Sequence, residues 1–195
     1  MPPYKTFRSE NTRVEIWVDD DAVNPRDDAH TTGTFWAWHR RYNFGSKEEV
    51  KAARGIKEQF TSWDQLDEWI RKEFKAIVVL PVFMYEHSGI ALNCTGFSCP
   101  WDSGRLGVVF CTREALKDAG YKIATAKALE KLTAILKQEI ETYSAYASGA
   151  VYGYRVFEGD SDEETDSCWG YYGDDEIPYM LEAALGPTAK EAVEV

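Results

Sequence analysis

Apolar positions along the chain fall into two periods, and each period marks its own elements. Thr12 to Val18 (TRVEIWV) alternates polar and apolar residues, the mark of a strand with one face buried. Gly33 to Trp38 (GTFWAW) is aromatic enough for a second strand and runs into His39-Arg40-Arg41-Tyr42. Ile77 to Tyr85 (IVVLPVFMY) is continuously apolar, as a strand covered on both faces is. Pro81 argues for an edge or a bulge, because proline has no amide hydrogen to give a ladder. Leu106 to Cys111, Val151 to Phe157 and Ser167 to Tyr172 complete the strands, the last two as a hairpin around an acidic turn.

The helical period is clearest from about Ala124 to Ala147. There Leu129, Leu132, Leu136, Ile140, Tyr143 and Ala147 recur every three or four residues as one stripe. Ser46-Lys47-Glu48-Glu49 has capping-box spacing and predicts a helix to about Phe60. Ser62-Trp63-Asp64-Gln65 repeats the signal, ahead of a face of Leu66, Trp69, Ile70 and Phe74. A short helix begins at Thr112-Arg113-Glu114 and ends at Gly120. A last one is expected over Ile177 to Leu185, after Asp174-Asp175-Glu176. Asp19 to His30 reads as a loop with its turn at Asn24-Pro25. Glu86 to Arg105 reads as a long polar, glycine-bearing loop. Strands and helices interleave without βαβ regularity. The expected fold is α+β: one domain over residues 1–195, a mainly antiparallel sheet against one long helix and several shorter ones. The acidic hairpin and helix, 151–187, belong to it.

Composition narrows the setting. No stretch of 18 apolar residues occurs, so no membrane span is expected. The segment Met1-Pro2-Pro3-Tyr4-Lys5 lacks a signal-peptide pattern, which makes the cytoplasm the expected compartment. The four cysteines, Cys94, Cys99, Cys111 and Cys168, read there as free thiols packed as small hydrophobes. Net charge is −11 and is unevenly placed. Ten acids and no basic residue lie between Val156 and Ala189, while residues 1–155 are balanced. Such a block repels nucleic acid and suits a basic partner, with Asp160, Asp162, Glu163 and Glu164 as its candidate contacts. As a solvated face it would serve solubility alone.

Candidate chemistry concentrates between Glu86 and Gly104. His87, with Ser88 beside it, is the natural general base, Asp102 the group to orient it, and Cys99 or Ser103 the candidate nucleophile. The spacing is diagnostic of no known catalytic motif, and a plain structural role for each is equally in view. Zinc on His87, Cys94 and Cys99 would lack the paired C-x-x-C knuckle and a fourth ligand. Asp160, Asp162, Glu164 and Asp166 begin like a calcium loop, but Thr165 replaces the required glycine and Tyr171 the bidentate acid. No metal or cofactor is therefore expected. Ser167-Cys168-Trp169 is similar to the nucleophile segment of papain-like proteases, yet His30, His39 and His87 all lie upstream, the wrong order. A buried strand cysteine is the expectation. His39, Arg40 and Arg41, with Trp101, are the candidates for holding a small anionic ligand, since guanidinium forks take phosphates and carboxylates. Arg40 and Arg41 pairing internally with the acids of Asp19 to Asp28 is the alternative.

Five segments together carry a resemblance. Trp38–Tyr42 (WHRRY), Leu80–Ile90 (LPVFMYEHSGI), Phe97–Gly104 (FSCPWDSG), Val151–Tyr154 (VYGY) and Asp166–Gly173 (DSCWGYYG) are similar, in matching order, to a family of bacteriophage and mobile-element proteins. That resemblance implies a viral accessory origin, in a host cytoplasm, and no particular reaction. The first expected function is binding to host machinery or a host-defence component, a host protein with a basic surface. The alternative is a small hydrolase or nucleotide-binding enzyme built on the His87-Ser88 and Cys99-Asp102-Ser103 loop.

Overall fold

The computed structural model describes residues 2–27, 31–118, 120 and 125–195. The end of the expected Asp19–His30 loop, with His30 itself, and the expected helix start at Ala124 lie outside the described residues. In chain order the elements are β1 (Lys5–Ser9), β2 (Thr12–Val18), β3 (Thr34–Ala37), α1 (Lys47–Ala53), α2 (Trp63–Glu73), β4 (Ala76–Glu86) and β5 (Ile90–Asn93). There follow β6 (Ser103–Thr112), α3 (Arg113–Asp118), α4 (Ala126–Ser148), β7 (Val151–Glu158), β8 (Glu164–Tyr172), α5 (Ile177–Leu185) and β9 (Val193–Glu194). The fold is α+β, with every strand pair antiparallel.

The strands form two sheets, ordered β8-β7-β2-β1-β9 and β3-β6-β4-β5. The chain accordingly forms two compact units, Met1–Val23 with Ser148–Val195, and Asn24–Ala147. In the first, α5 lays Ile177 and Met180 against Val14, Ile16, Tyr152, Tyr154 and Val156. In the second, the sheet is covered on both faces. Phe35, Val82, Val109 and Cys111 pack with Leu132, Leu136, Ile140 and Tyr143 of α4. Trp36, Val79, Val108 and Phe110 pack with Ala53 of α1 and Leu66 and Ile70 of α2. Two covered faces explain why β4 and β6 read as continuous apolar runs instead of alternating ones. Pro81 is in register with Val108 of β6 and lies before the part of β4 that β5 pairs, so on the β5 side no ladder partner waits for the missing amide hydrogen.

The capping box at Ser46 is complete: its hydroxyl accepts from Glu49 N at 3.1 Å, and Glu49 Oε2 accepts from Ser46 N at 2.9 Å. α1 nevertheless stops at Ala53, short of the expected Phe60. Gly55 takes φ +73°, a left-handed conformation that ends the helix, and one 3-10 turn (Lys57–Gln59) follows. The expected 20-residue loop is also shorter. Its first half closes as the β4–β5 hairpin through Ser88 at φ +58°, and its last residues already belong to β6. Cys168 is exposed on β8, the outermost strand of its sheet, and not buried as expected. β8 is exposed from Glu164 through Gly170, so Cys168 is open with its neighbours. All four cysteines are free thiols.

The entry to β3 is fixed by one buried arginine. Arg26, only 4% exposed, donates through Nε to Glu49 Oε2 at 3.2 Å, through Nη1 to Glu139 Oε2 at 3.0 Å, and through Nη2 to the Gly33 carbonyl and Glu49 Oε1. Burial alone would lower its pKa, but the two carboxylates outweigh it and hold the guanidinium charged. Two stability measurements follow. Arg26→Ala leaves Glu49 and Glu139 without their cation and is expected to lower the unfolding free energy by about 3–5 kcal/mol in denaturant melts. Leu136 is fully buried on the α4 stripe, so Leu136→Asp is expected to abolish soluble expression, and a melt near wild type would place that stripe in solvent.

Candidate functional site

The site grows out of the strand register of the Asn24–Ala147 unit. β3 pairs with β6 so that Ala37 faces Gly107, and Trp38 N donates to the Leu106 carbonyl at 3.0 Å. A Cβ at Gly107 would lie 2.1 Å from the Trp36 carbonyl oxygen, so only glycine lets the strands come this close. β4 pairs with β6 so that Tyr85 faces Ser103, and Glu86 N donates to the Asp102 carbonyl at 2.9 Å. The chain leaving β3, the end of β4 and the start of β6 thus present Trp38–Tyr42, Glu86 and Trp101–Arg105 side by side.

Glu86 is the hub of the first cluster. Its Oε1 accepts from Arg41 Nη2 and from the Tyr42 hydroxyl, the latter at 3.2 Å. The Tyr42 ring stacks on His39, with centroids 5.0 Å apart and planes within 7°. Arg41 N donates to His39 Nδ1 at 3.3 Å, which puts the proton of the neutral ring on Nε2, 3.9 Å from Glu86 Oε2. Arg41 therefore pairs with Glu86 and, among the described residues, with none of the acids of Asp19 to Asp27. Desolvation pushes the Glu86 carboxyl up, but hydrogen bonds from Arg41 and Tyr42, the nearby Arg41 charge and His39 when it is protonated leave it below its ordinary value.

The second cluster is centred on Asp102. Its Oδ2 stands 3.5 Å from His87 Nδ1 and accepts from Cys99 Sγ at 3.5 Å. Ser103 Oγ donates to the Cys99 carbonyl. The loop residues singled out in the sequence do meet, with Asp102 Oδ2 as the common contact of the imidazole and the thiol. Among the described residues no three His, Cys, Asp or Glu side chains stand as a metal-ligand group.

Two clefts flank this constellation and share one wall, Trp38 and His39. The first, of about 290 Å³, is lined by Glu86, Asp102, Ser103 and Arg105 over Met84 and Leu106, with Trp101 at its edge. Trp101 is 92% exposed, so its ring is open to solvent beside the cleft. Arg105 is engaged elsewhere, through Nη2 with Asp67 at 2.6 Å and over the Trp63 ring. The second, of about 430 Å³, is lined by Arg40, Arg54 and Lys57 against a single acid, Glu58, with Tyr42, Phe44 and Ala53 as apolar wall. The Trp38 indole donates to the Ala53 carbonyl at 2.9 Å and so ties the shared wall to the end of α1 that carries Arg54. Of the residues expected to bind, His39 lines both clefts, Arg40 the second and Trp101 the first. His87 and Cys99 line neither, and Arg41 acts through Glu86. Arg54, Lys57 and the hub role of Glu86 are additions from the structure.

The expected partner contacts lie in the other unit. Asp160 pairs with Arg8 at 3.1 Å, Asp162 approaches Arg13 at 3.8 Å and Glu164 pairs with Arg155 at 3.4 Å, while Glu163 is exposed. That unit also has an apolar groove of about 1030 Å³ along α5, lined by Phe7, Ile177, Pro178 and Leu181 among others. Among the described residues no helix is long and apolar enough to cross a membrane. No known protein family, curated protein or solved structure matches the chain.

The Glu86 contact sets a pH dependence with a definite sign. A carboxyl held below its ordinary value of about 4.3 contributes fully above that value, and its contribution is lost as the pH falls through the lower folded one. An NMR titration of the Glu86 carboxyl is expected to give a midpoint below the ordinary value, moving upward in Arg41→Gln. An unmoved midpoint would disconnect the two groups.

Proposed function

We propose that the protein acts by binding, holding a small anionic ligand with a flat polar end in the paired clefts on either side of Trp38 and His39. The observation that carries the reading is the shared wall. One side of it is lined by Arg40, Arg54 and Lys57, the other by Glu86 and Asp102 beside an exposed tryptophan. An anion belongs in the basic half, where guanidinium and ammonium groups concentrate. A planar group belongs in the other, where Trp101 offers a face for stacking. Binding is preferred to catalysis because neither candidate nucleophile has a free base. Among the described residues the Ser103 hydroxyl donates to a backbone carbonyl and the Cys99 thiol to a carboxylate, so neither makes its hydrogen bond to the His87 imidazole. As a phage accessory protein, in the setting its sequence resembles, it would sequester a host ligand and leave it unchanged.

The test is calorimetric titration with inorganic phosphate and with the ribonucleoside monophosphates, followed in parallel by tryptophan fluorescence. At least one monophosphate is expected to bind more tightly than phosphate, to quench or shift Trp101, and to weaken as salt rises. Arg40→Ala with Arg54→Ala is expected to lower that affinity at least tenfold. Absence of saturable binding, or binding indifferent to both arginines, would end the proposal.

A further inference from the structure

The hydrogen-bonding inventory of the carboxylate-lined cleft is specific enough to name the flat group. Glu86 uses Oε1 for Arg41 and Tyr42, and among the described residues nothing donates a hydrogen bond to Oε2. Asp102 uses Oδ2 for Cys99 and His87, and among the described residues nothing donates to Oδ1. Each carboxylate thus keeps one oxygen able to accept, on neighbouring residues linked by the Glu86 N to Asp102 O bond. The same cleft contains one oriented donor. His39 Nδ1 already accepts from Arg41 N, so its Nε2–H is the hydrogen it has to give.

Two acceptors and one donor on residues that line one cleft complement a planar edge that carries two donors and one acceptor. Among nucleobases that edge belongs to guanine, whose ring N–H and exocyclic amino group lie next to a carbonyl oxygen. Adenine places one amino group next to a bare ring nitrogen, and uracil has a single N–H between two carbonyls. Hypoxanthine keeps the ring N–H and the carbonyl and lacks the amino group.

We infer that the clefts are a site for a free guanine mononucleotide. The ring N–H and amino group meet Glu86 and Asp102, the carbonyl oxygen meets His39 Nε2–H, and the ring lies on Trp101. The phosphate reaches the Arg40, Arg54 and Lys57 side of the wall. This assignment rests on the reading of the paired clefts as an anionic-ligand site. A free nucleotide is preferred to a nucleic acid because the chain carries a net charge of −11, which repels a polyanion at long range while leaving a local basic cleft usable.

Calorimetry with guanosine, inosine, adenosine and uridine monophosphates, inorganic phosphate and a short guanine-bearing single-stranded RNA tests it. Guanosine monophosphate is expected to bind at least tenfold more tightly than the adenosine and uridine compounds, with the inosine compound between. Glu86→Gln and, separately, Asp102→Asn are expected to erase most of that preference while phosphate affinity is kept. Arg54→Ala is expected to weaken all four nucleotides by a similar factor and preserve their ratios. Equal affinity for the four monophosphates, or a preference that survives both carboxylate variants, overturns the guanine assignment and leaves the anion site standing. Failure of every nucleotide and of phosphate overturns both. Tighter binding of the RNA than of the mononucleotide overturns the assignment to a free ligand.

Discussion

The guanidinium of Arg26 is held by groups from three parts of the Asn24–Ala147 unit: Glu49 in α1, Glu139 in α4 and the Gly33 carbonyl at the entry to β3. Each acid has further obligations. Glu49 also accepts from Ser46 N and Phe35 N, and Glu139 from Thr32 N and Gly33 N. Withdrawing the cation would leave two carboxylates desolvated and several amides competing for them, which is why a buried network of this kind is all-or-none. Its effect reaches the site through the chain. With β3 fixed at Phe35, pairing with β6 sets Ala37 opposite Gly107, and the next five residues are Trp38 to Tyr42. The shared wall of the clefts is therefore aimed by a contact made before β3 begins.

That contact was hidden in the sequence for a physical reason. Asn24-Pro25-Arg26-Asp27 is turn chemistry, and the turn is there, with Arg26 N donating to Asn24 Oδ1 at 3.0 Å. Local residue types reveal a turn but cannot reveal that one of its side chains is buried, because the two acids that make burial tolerable come 23 and 113 residues later. Elements held by their own periodicity were legible: β2 and α5 have the expected bounds, and the α4 stripe buries Leu132, Leu136, Ile140 and Tyr143. Elements held by a neighbour were not. β9 is two residues long and exists by pairing with Phe7 and Arg8, and β5 is four residues paired to the end of β4. The site divides the same way. Its segments stood out as aromatic, basic and histidine-bearing, but the meeting of Arg41 with Glu86, and the opposite linings of the two clefts, come from strand register.

The acidic hairpin has a physical role that its local ion pairs do not supply. Pairs such as Arg8–Asp160, with both side chains well exposed, contribute little to stability. The ladder between β7 and β8, and the guanidinium of Arg155 lying 5.0 Å from the Trp17 ring centre and 5.4 Å from that of Trp169, hold the strand in place. β8 is nonetheless the outer strand of its sheet and exposed over seven consecutive residues, a template for pairing with other chains. Two register shifts interrupt it, between Tyr152 and Gly153 and between Val156 and Phe157, and Glu164 and Asp166 put negative charge along it. Bulges and like charge are the usual ways an open edge is kept from pairing with another copy. The concentration of acid here is thus accounted for before any partner is invoked.

Binding and catalysis make different demands on the same residue types, and the Asp102 cluster separates them. Nucleophilic chemistry needs a proton path from nucleophile to base, so an imidazole must lie between the thiol or hydroxyl and the acid that orients it. Here the Cys99 thiol meets the Asp102 carboxylate directly, with no imidazole between them. Ser103 is no better placed, because its hydrogen is given to a carbonyl that cannot take it. For recognition the same order is an advantage. A carboxylate whose Oδ2 meets both a thiol and an imidazole is partly ordered and keeps its other oxygen for a ligand donor, which lowers the entropy lost on binding. Glu86 repeats the arrangement with Arg41 and Tyr42. Two acids arranged in this way, joined by the Glu86 N to Asp102 O bond, are what the proposed reading of a ligand's donors requires.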